Sequence, residues 1–410
     1  MVLKSPIPLD QLKFNVPVRY KLHVDRKLLD ITRKKLALSR YPEEQSDFGE
    51  NNWAQGANVS RVKQLAEHWQ NKYDWETQEN LLNDAFNHFI VKLDVPGYGS
   101  LVLHYTHTRA HNDKGIPLLF SHGWPGSFVE AMRIVEPLSK PKNAEDQAFH
   151  VVAPSIPGFG FSPAPVKSGV GPNVVARAYK ILMTEVLGGR FWIIHYSFYG
   201  YPVSGGSQSS AFEYVPVPPP TIISAPVAYL RWCFSAFTYS AFEHKALQVR
   251  RNFEHDQSGY LEQQKTRPQT LGFALGDSPV GLLAWFVEKI HDWADVHDAF
   301  SDDDIITLVM MHWIQGATPA LRFYREAFGR DMREAEKTFE SYVSAPTGVS
   351  MYAKEQLHCP RDWANQVANI QFWREYEKGG HFSSLERPDI FVKDVRGFFS
   401  SQTVLKTLAS

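Results

Sequence analysis

Short apolar runs alternate with helical patterns in the first half of this chain, and this alternation limits the chain to one broad fold class. Three runs, at 116–123, 148–160 and 190–197, have the continuous hydrophobicity of strands that are buried on both faces. Helical patterns at 128–138 and 173–188 separate them. Strands and helices that alternate at this spacing predict an α/β fold, with a parallel sheet and helices on both faces.

The alternation stops after about residue 229, and the pattern is then predominantly helical up to about residue 340. Strand patterns return at 347–355 and 369–377, and a helical pattern lies at 387–401. The N-terminal stretch is loop-rich and then helical. We therefore predict an N-terminal wrapping region, a first core part, a helical lid and a second core part, at residues 1–95, 96–228, 229–340 and 341–410.

Charge and cysteine content exclude several classes of partner. The formal net charge of the 410-residue chain is −1, which favours neither nucleic acid nor an anionic membrane surface. The two cysteines, Cys233 and Cys359, give no metal-ligand spacing and no disulfide framework. The N-terminal sequence has no continuous apolar run, so we expect no membrane anchor and a cytoplasmic location.

The aromatic fraction of 13% is high, and it suits an aromatic-walled pocket as well as a larger core. No glycine pattern of a dinucleotide-binding loop is present, because "GFGFS" lacks the spacing and the helix start. We therefore expect neither a cofactor nor a metal. The motif "SHGWPGS" (121–127) follows a buried strand, and backbone N–H groups in such a turn can point at an anion. A plain strand-to-helix turn would have the same composition.

Several motifs occur in one order along nearly the whole chain. They are "HGWPGS", "PGFGFS" (157–162), "SGYLEQQKTRP" (258–268), "SPVGLLAWFVEKIHDW" (278–293), "RFYRE" (322–326) and "EKGGHFSSLERP" (377–388). Together they resemble those of the microsomal-type epoxide hydrolases, a branch of the α/β-hydrolase fold. The sequence lacks the anchor of the membrane-bound members and is therefore similar to the soluble, microbial ones. Relatives of this type often pair, so a homodimer is possible, and the resemblance implies a small-molecule epoxide as substrate.

The resemblance implies a role for four residues. In the family, two lid tyrosines hydrogen-bond the epoxide oxygen, and they match Tyr260 and Tyr324. A histidine oriented by a carboxylate activates water, and this pair matches His381 and Glu355. The alternative interpretation is that Tyr260 and Tyr324 are simply buried rings and that Glu355 is one more exposed acid, and we favour the functional one for all three.

The position of the attacking carboxylate departs from the family pattern. Phe198 stands where the family has an aspartate, and Phe cannot attack carbon. The attacking residue of the family sits on a sharp strand-to-helix turn, the elbow, which matches residues 196–200. Tyr196 is bulky where the elbow normally has a small residue. Ser197 is one residue away, and such a shift turns the side chain elsewhere. The loop at Trp124 and the residue after the elbow, Tyr199, match the positions that form the oxyanion hole.

After the elbow, the fold calls for a helix, yet residues 200–210 are rich in Gly, Pro and Ser. Three functions stay open. The first is epoxide opening by tyrosine acid assistance, followed by internal cyclisation or rearrangement as in natural-product biosynthesis. The second is hydrolysis to a diol by water that His381 activates. The third is an inactive protein that binds an apolar ligand.

Overall fold

The computed structural model describes residues 8–45, 53–112, 114–189, 191–195, 207–212, 217, 219–329, 342–401, 404 and 406. Its strands form one nine-stranded sheet with the order β1-β2-β3-β5-β4-β6-β7-β8-β9. The strands are β1 Val18–Arg19, β2 His88–Val95, β3 Gly99–Thr108, β4 Ile116–Ser121, β5 Phe149–Pro154, β6 Phe191–His195, β7 Ser207–Phe212, β8 Val343–Tyr352 and β9 Ala368–Tyr376.

The sheet is mixed, whereas the alternation in the sequence predicts a parallel one. Neighbouring strands from β5 through β4, β6, β7 and β8 to β9 are parallel. The pairs β1–β2, β2–β3 and β3–β5 are antiparallel. Strand β2 lies in the stretch that reads as helical, and a tight turn at Gly97, with φ of 80°, joins it to β3. Pairing with β3 along its whole length decides its conformation.

The helices of the described residues fall into three groups. Before the lid they are α1 Arg26–Ala37, α2 Val59–Asn71, α3 Trp75–Ala85, α4 Val135–Ser139 and α5 Pro172–Ile181. In and beside the lid they are α6 Pro226–Cys233, α7 Ser235–Thr238, α8 Ala241–Asn252, α9 Gly259–Thr266, α10 Pro268–Asp277, α11 Pro279–Trp293, α12 Asp302–Trp313 and α13 Thr318–Phe328. After the lid they are α14 Arg361–Ala364, α15 Ser383–Glu386 and α16 Pro388–Phe399.

Two predicted elements differ in detail. The helical pattern at 128–138 is a short 3₁₀ turn, Phe128–Ala131, followed by α4. The stretch after β6 includes β7, so the polar residues from Ser207 are strand and not helix. Ser and Thr compete poorly for helix interiors, and here pairing with β6 and β8 provides the backbone partners.

The N-terminal helices pack against helices of the predicted lid. Helix α2 contacts both α11 and α12. Side-chain hydrogen bonds between polar groups join the two regions. They are Arg61 Nη2 to Asp302 (2.8 Å), the His68 ring to Asp303 (2.7 Å), Tyr73 to Thr307 (3.0 Å), and Trp313 Nε1 to Thr32 (2.7 Å). One continuous hydrophobic core includes buried residues of the sheet, the N-terminal helices and α10 to α13.

Candidate active site

The loop 121–127 begins where β4 ends, and a buried imidazole fixes its first turn. His122 Nε2 accepts the backbone N–H of Ile156 at 3.1 Å, so Nδ1 carries the proton that is donated to the Gly123 carbonyl at 3.0 Å. Burial lowers the pKa of His122 to about 3. The neutral ring therefore joins this loop to the turn that follows β5 through two hydrogen bonds.

A second buried histidine holds the other half of the loop. His312 of α12 donates from Nε2 to the carbonyl oxygens of Pro125 (3.0 Å) and Gly126 (3.2 Å). Burial lowers its pKa to about 4. The peptide bond between Trp124 and Pro125 is cis. The lid thus contributes a bond to the loop that carries Trp124.

The structure brings both candidate tyrosines to Trp124. The Tyr260 ring of α9 stacks on it, with centroids 5.1 Å apart and an angle of 14° between planes. The Tyr324 ring of α13 meets it edge-on, at 5.5 Å and 88°. The two tyrosine rings lie 5.9 Å from each other. Two lid helices and a core loop therefore form one aromatic cluster.

The surroundings of the phenols keep Tyr260 protonated. Burial is the main cause that raises the pKa of Tyr260 well above its ordinary value, and the Glu355 carboxylate raises it further. A hydrogen bond with the Tyr324 side chain opposes this rise. Tyr324 is fully buried. A phenol in this setting is an uncharged hydrogen-bond donor at neutral pH.

His381 and Glu355 form a close pair in the interior. His381 Nδ1 lies 3.0 Å from Glu355 Oε2 and 3.2 Å from Oε1, and both side chains are buried. The carboxylate requires a proton on Nδ1, so Nε2 carries the lone pair that can accept a proton. The backbone N–H of Gln356 donates to Glu355 Oε1 at 2.8 Å, which fixes the carboxylate. The pairing predicted from the two motifs is present.

Two glycines before His381 allow the chain to pass close to the lid. Gly379 has φ of 115°, which favours glycine. A Cβ at Gly380 would meet the Trp293 carbonyl oxygen and would lie 2.9 Å from the backbone nitrogen of Asp295. The His381 N–H donates to that carbonyl oxygen at 2.9 Å. The histidine is therefore placed by a backbone contact with the end of α11.

Glu386 completes the support of this turn, and the sequence analysis gave it no role. Its buried carboxylate accepts three backbone N–H groups, from Asp295 (2.7 Å), Val296 (2.9 Å) and Phe382 (3.0 Å). Two of the donors follow α11 in the predicted lid. The third belongs to the turn at residues 379–382 that carries His381, which we call the histidine turn. The signal in the sequence is one acid shortly after His381, in the motif "EKGGHFSSLERP". Trp293 was also missed, although its ring lies 5.3 Å from Tyr260 and 5.2 Å from His381.

Strands β4 and β6 end at the same edge of the sheet. Strand β6 ends at His195, which is paired with Ser121 at the start of the 121–127 loop. The predictions on Ser197, Phe198 and Tyr199, and on the bulky Tyr196, concern positions outside the described residues. The parallel neighbours β6 and β7 are joined through residues 196–206.

A cavity of about 440 Å³ is lined in part by residues of α13. Its lining includes Phe323 and Arg322 of α13, Pro157 of the core and Arg267 of the lid. Tyr260, Tyr324 and His381 are not part of that lining.

The described ranges contain no metal-ligating cluster and no single helix that could span a membrane. No group of three or more His, Cys, Asp or Glu side chains there could hold a metal ion. Within those ranges, no single helix has the length and hydropathy of a membrane span, and only the pair α10 and α11, bent by 113°, meets the criteria jointly.

Comparison with known proteins places this geometry in a family. The model of the epoxide hydrolase N terminus matches residues 17–131. The chain is 31% identical to a putative epoxide hydrolase of Stigmatella aurantiaca, covering 93% of this chain and 84% of the relative. It is 30% identical to epoxide hydrolase 1 of Sus scrofa, covering 84% and 80%.

Solved structures agree with these relatives. The epoxide hydrolase of Aspergillus niger superposes with a TM-score of 0.78 at 25% identity, covering 93% of this chain and 95% of that one. The juvenile hormone epoxide hydrolase of Bombyx mori superposes with a TM-score of 0.85 at 22% identity, covering 97% of each chain, and supports the fold. The expected α/β-hydrolase fold is confirmed, and the chain belongs to the epoxide hydrolase family.

Proposed function

We propose that this protein opens a small-molecule epoxide, with Tyr260 and Tyr324 donating hydrogen bonds to the epoxide oxygen and the His381–Glu355 pair acting as base. The observation that carries the proposal is the position of Trp293, whose ring contacts both Tyr260 and His381. Proton donors and base therefore share one buried cluster, as acid-assisted ring opening requires.

The favoured outcome is an isomer of the substrate. As the C–O bond breaks, the epoxide oxygen takes a proton from a tyrosine, and positive charge develops on a tertiary, allylic or benzylic carbon. A nucleophile or migrating group within the substrate then bonds to that carbon, and His381 Nε2 removes the proton released. The proton held on His381 then returns to the phenolate, which restores the protein, and the product has the composition of the substrate. Phe198 in place of the attacking aspartate supports this route, because no ester can form there.

Hydrolysis is the second candidate, and the intact His381–Glu355 pair supports it together with the family membership. Here the imidazole takes a proton from water as the water oxygen attacks the epoxide carbon, and a tyrosine protonates the leaving oxygen. The product is a diol. We propose that the backbone N–H groups of the Trp124 loop and of Tyr199 border the same site, as the oxyanion hole of the fold does.

The proposal extends to the layout of the chain. We assign residues 1–95 to the wrapping region, 96–228 and 341–410 to the core, and 229–340 to the lid. In its support, α8 to α13 all lie between 241 and 328, and α1 to α3 precede β2. Similarity to the soluble microbial branch, a homodimer and natural-product biosynthesis as the setting stay predictions.

A single-turnover experiment in ¹⁸O-water separates the candidates. Excess purified protein is mixed with an aryl epoxide that carries an internal hydroxyl group, and products are analysed by mass spectrometry. An unlabelled product of substrate mass supports rearrangement, and a diol labelled in the first turnover supports water activated by His381. A first-turnover diol without label would reveal an ester intermediate and contradict the assignment of residue 198.

Matched variants test the roles of the phenols. Tyr260→Phe with Tyr324→Phe is expected to abolish both products, while Tyr229→Phe, a change at another lid tyrosine, keeps them. If several aryl and alkyl epoxides all remain unchanged with the wild-type protein, the inactive ligand-binding function is favoured and the proposal fails.

A further inference from the structure

We propose that Lys289 of α11 is a positioning residue for epoxide opening, and that its ammonium group, held over the Tyr260 ring, strengthens that phenol as a hydrogen-bond donor. The inference rests on the proposed function, because it deepens the role of Tyr260. It assigns a task to a charged side chain for which the sequence analysis predicted none.

The geometry places a positive charge in the interior. The Lys289 side chain is 2% exposed, and its Nζ lies 4.9 Å from the centroid of the Tyr260 ring and 5.1 Å from that of Trp285. Its carboxylate partner is Glu288, the residue before it, whose side chain is 27% exposed. A buried lysine is rare unless it is paired. Here the ion pair reaches toward solvent, while the ammonium faces two aromatic rings.

The position of this charge has a chemical consequence. A cation over an aromatic ring is attracted by its electrons, and the attraction grows as the ring gains negative charge. When the epoxide oxygen draws on the Tyr260 proton, negative charge develops on the phenol. Lys289 stabilises that state more than the resting phenol, which is the property that accelerates a reaction.

A purely structural role would be to dock α9 onto α11. One turn further along α9, Trp285 Nε1 already donates to the buried amide of Gln264 at 3.2 Å, and this bond joins the same two helices. A neutral hydrogen bond therefore already joins α9 to α11 close to the contact between Lys289 and Tyr260. A charge that is costly to bury is not needed for docking alone.

The charged and titratable groups around the pair set the expected pH dependence. Burial lowers the pKa of Lys289, while Glu288 and Asp292 on the same helix raise it. On Asp292 itself, Lys354 acts to lower the pKa. Burial is the main cause that raises the pKa of Tyr260, Glu355 raises it further, and the hydrogen bond with Tyr324 opposes the rise. Tyr260 therefore ionises at a higher pH than an ordinary tyrosine. A fall of activity at alkaline pH then reports the loss of the Lys289 proton.

The kinetic test compares Lys289→Met and Lys289→Arg with the wild type over neutral to alkaline pH. The Met variant is expected to lose about tenfold in kcat with little change in KM, and to show no alkaline fall. The Arg variant keeps its charge throughout, so its alkaline fall moves upward or disappears. Lys265→Met, at an exposed lysine–glutamate pair on α9, is the control and keeps the wild-type profile. A wild-type alkaline fall that persists in both Lys289 variants would overturn the inference.

A binding test keeps the inference separate from turnover. Benzamide, whose neutral carbonyl oxygen accepts hydrogen bonds, serves as the probe in calorimetry. Lys289→Met and Tyr260→Phe are each expected to weaken binding severalfold, and the double variant no further, because both act through one phenol. Fully additive losses would contradict the coupling, even if no epoxide is turned over. Thermal melts of the Arg variant show whether the fold is kept.

Discussion

Tyr260 takes its position from one neighbour and its electrostatic surroundings from others. Stacking on Trp124 fixes the plane of the ring, and Tyr324 lies at its edge. The nearby Glu355 carboxylate disfavours the phenolate, while Lys289 favours it. The residue is therefore held as a neutral donor that is close to a cation.

Removing either hydroxyl should slow the reaction without unfolding the protein. We expect Tyr260→Phe and Tyr324→Phe each to lower kcat by about 10²-fold, the scale of one general acid, because the ring and its packing remain. Steady-state kinetics with a chromogenic epoxide gives the measurement. Ser197→Ala should leave kcat unchanged, and a large loss there would mean that Ser197 attacks the substrate.

The Glu355 carboxylate should matter through the tautomer of His381. In Glu355→Gln the amide can donate to Nδ1, which would move the ring proton to Nε2 and block the base. We expect a loss of about 10²- to 10⁴-fold in kcat, with little effect on binding of benzamide. The low-field proton NMR signal of Nδ1–H should be present in the wild type and absent in the variant. An unchanged signal with full activity would contradict the pairing.

At the scale of elements, the turn 379–382 joins β9 to α15 and carries the base. The backbone contact between Gly380 and Trp293 is possible only because glycine has no Cβ. The three N–H groups bound by Glu386 tie this turn to the chain that follows α11. The position of His381 thus depends on both the core and the lid.

Substituting Gly380 by Ala should displace this turn. We expect a loss of about 1–3 kcal/mol in the free energy of unfolding, together with a loss of activity, because backbone atoms must move. Gly276→Ala is the matched control: it lies in α10 with open space around the Cβ position, and should stabilise by about 0.5–1 kcal/mol. Denaturant titration and kinetics measure both. If the two variants changed the free energy of unfolding and the activity equally, the close contact between Gly380 and Trp293 would be refuted.

The sequence alone predicts some of the elements and site residues and not others. The apolar runs of β4, β5 and β6 and the helical pattern of α2 predicted their elements, because local patterning and burial agree there. Residues Tyr260 and His381 were found through motifs. Lys289 and Glu386 were not, because their roles come from partners that only the folded chain brings near. Strand β7 and the direction of β2 likewise depend on neighbouring strands and not on local pattern.

For the whole molecule, buried neutral histidines connect stability with pH. Burial lowers the pKa of His88 from 6.5 to about 4, of His122 to about 3 and of His312 to about 4. The unfolded chain takes up protons on these residues below about pH 6.5, whereas the folded chain does not. Their stabilising contribution is therefore complete above pH 6.5 and is lost as the pH falls toward the lowered values.

We expect the free energy of unfolding to fall by on the order of 3 kcal/mol for each such histidine across that window. His312→Gln, whose amide can still donate to the carbonyl oxygens of loop 121–127, should flatten the dependence. His255→Gln, at an exposed lid position, should leave it unchanged. Urea titrations at a series of pH values provide the measurement, and a stability that is constant down to the acid end would show that these rings are protonated in the folded state.

The bonds between the histidine turn and the lid limit how the site can work. His381 N–H to Trp293, Gly379 N–H to Asp295 at 2.9 Å and the Glu386 carboxylate all cross from the core to the end of α11. A movement of α11 away from the core would break these hydrogen bonds or pull His381 away from Glu355. The end of α11 and the base are therefore expected to keep one fixed arrangement while the substrate binds and reacts.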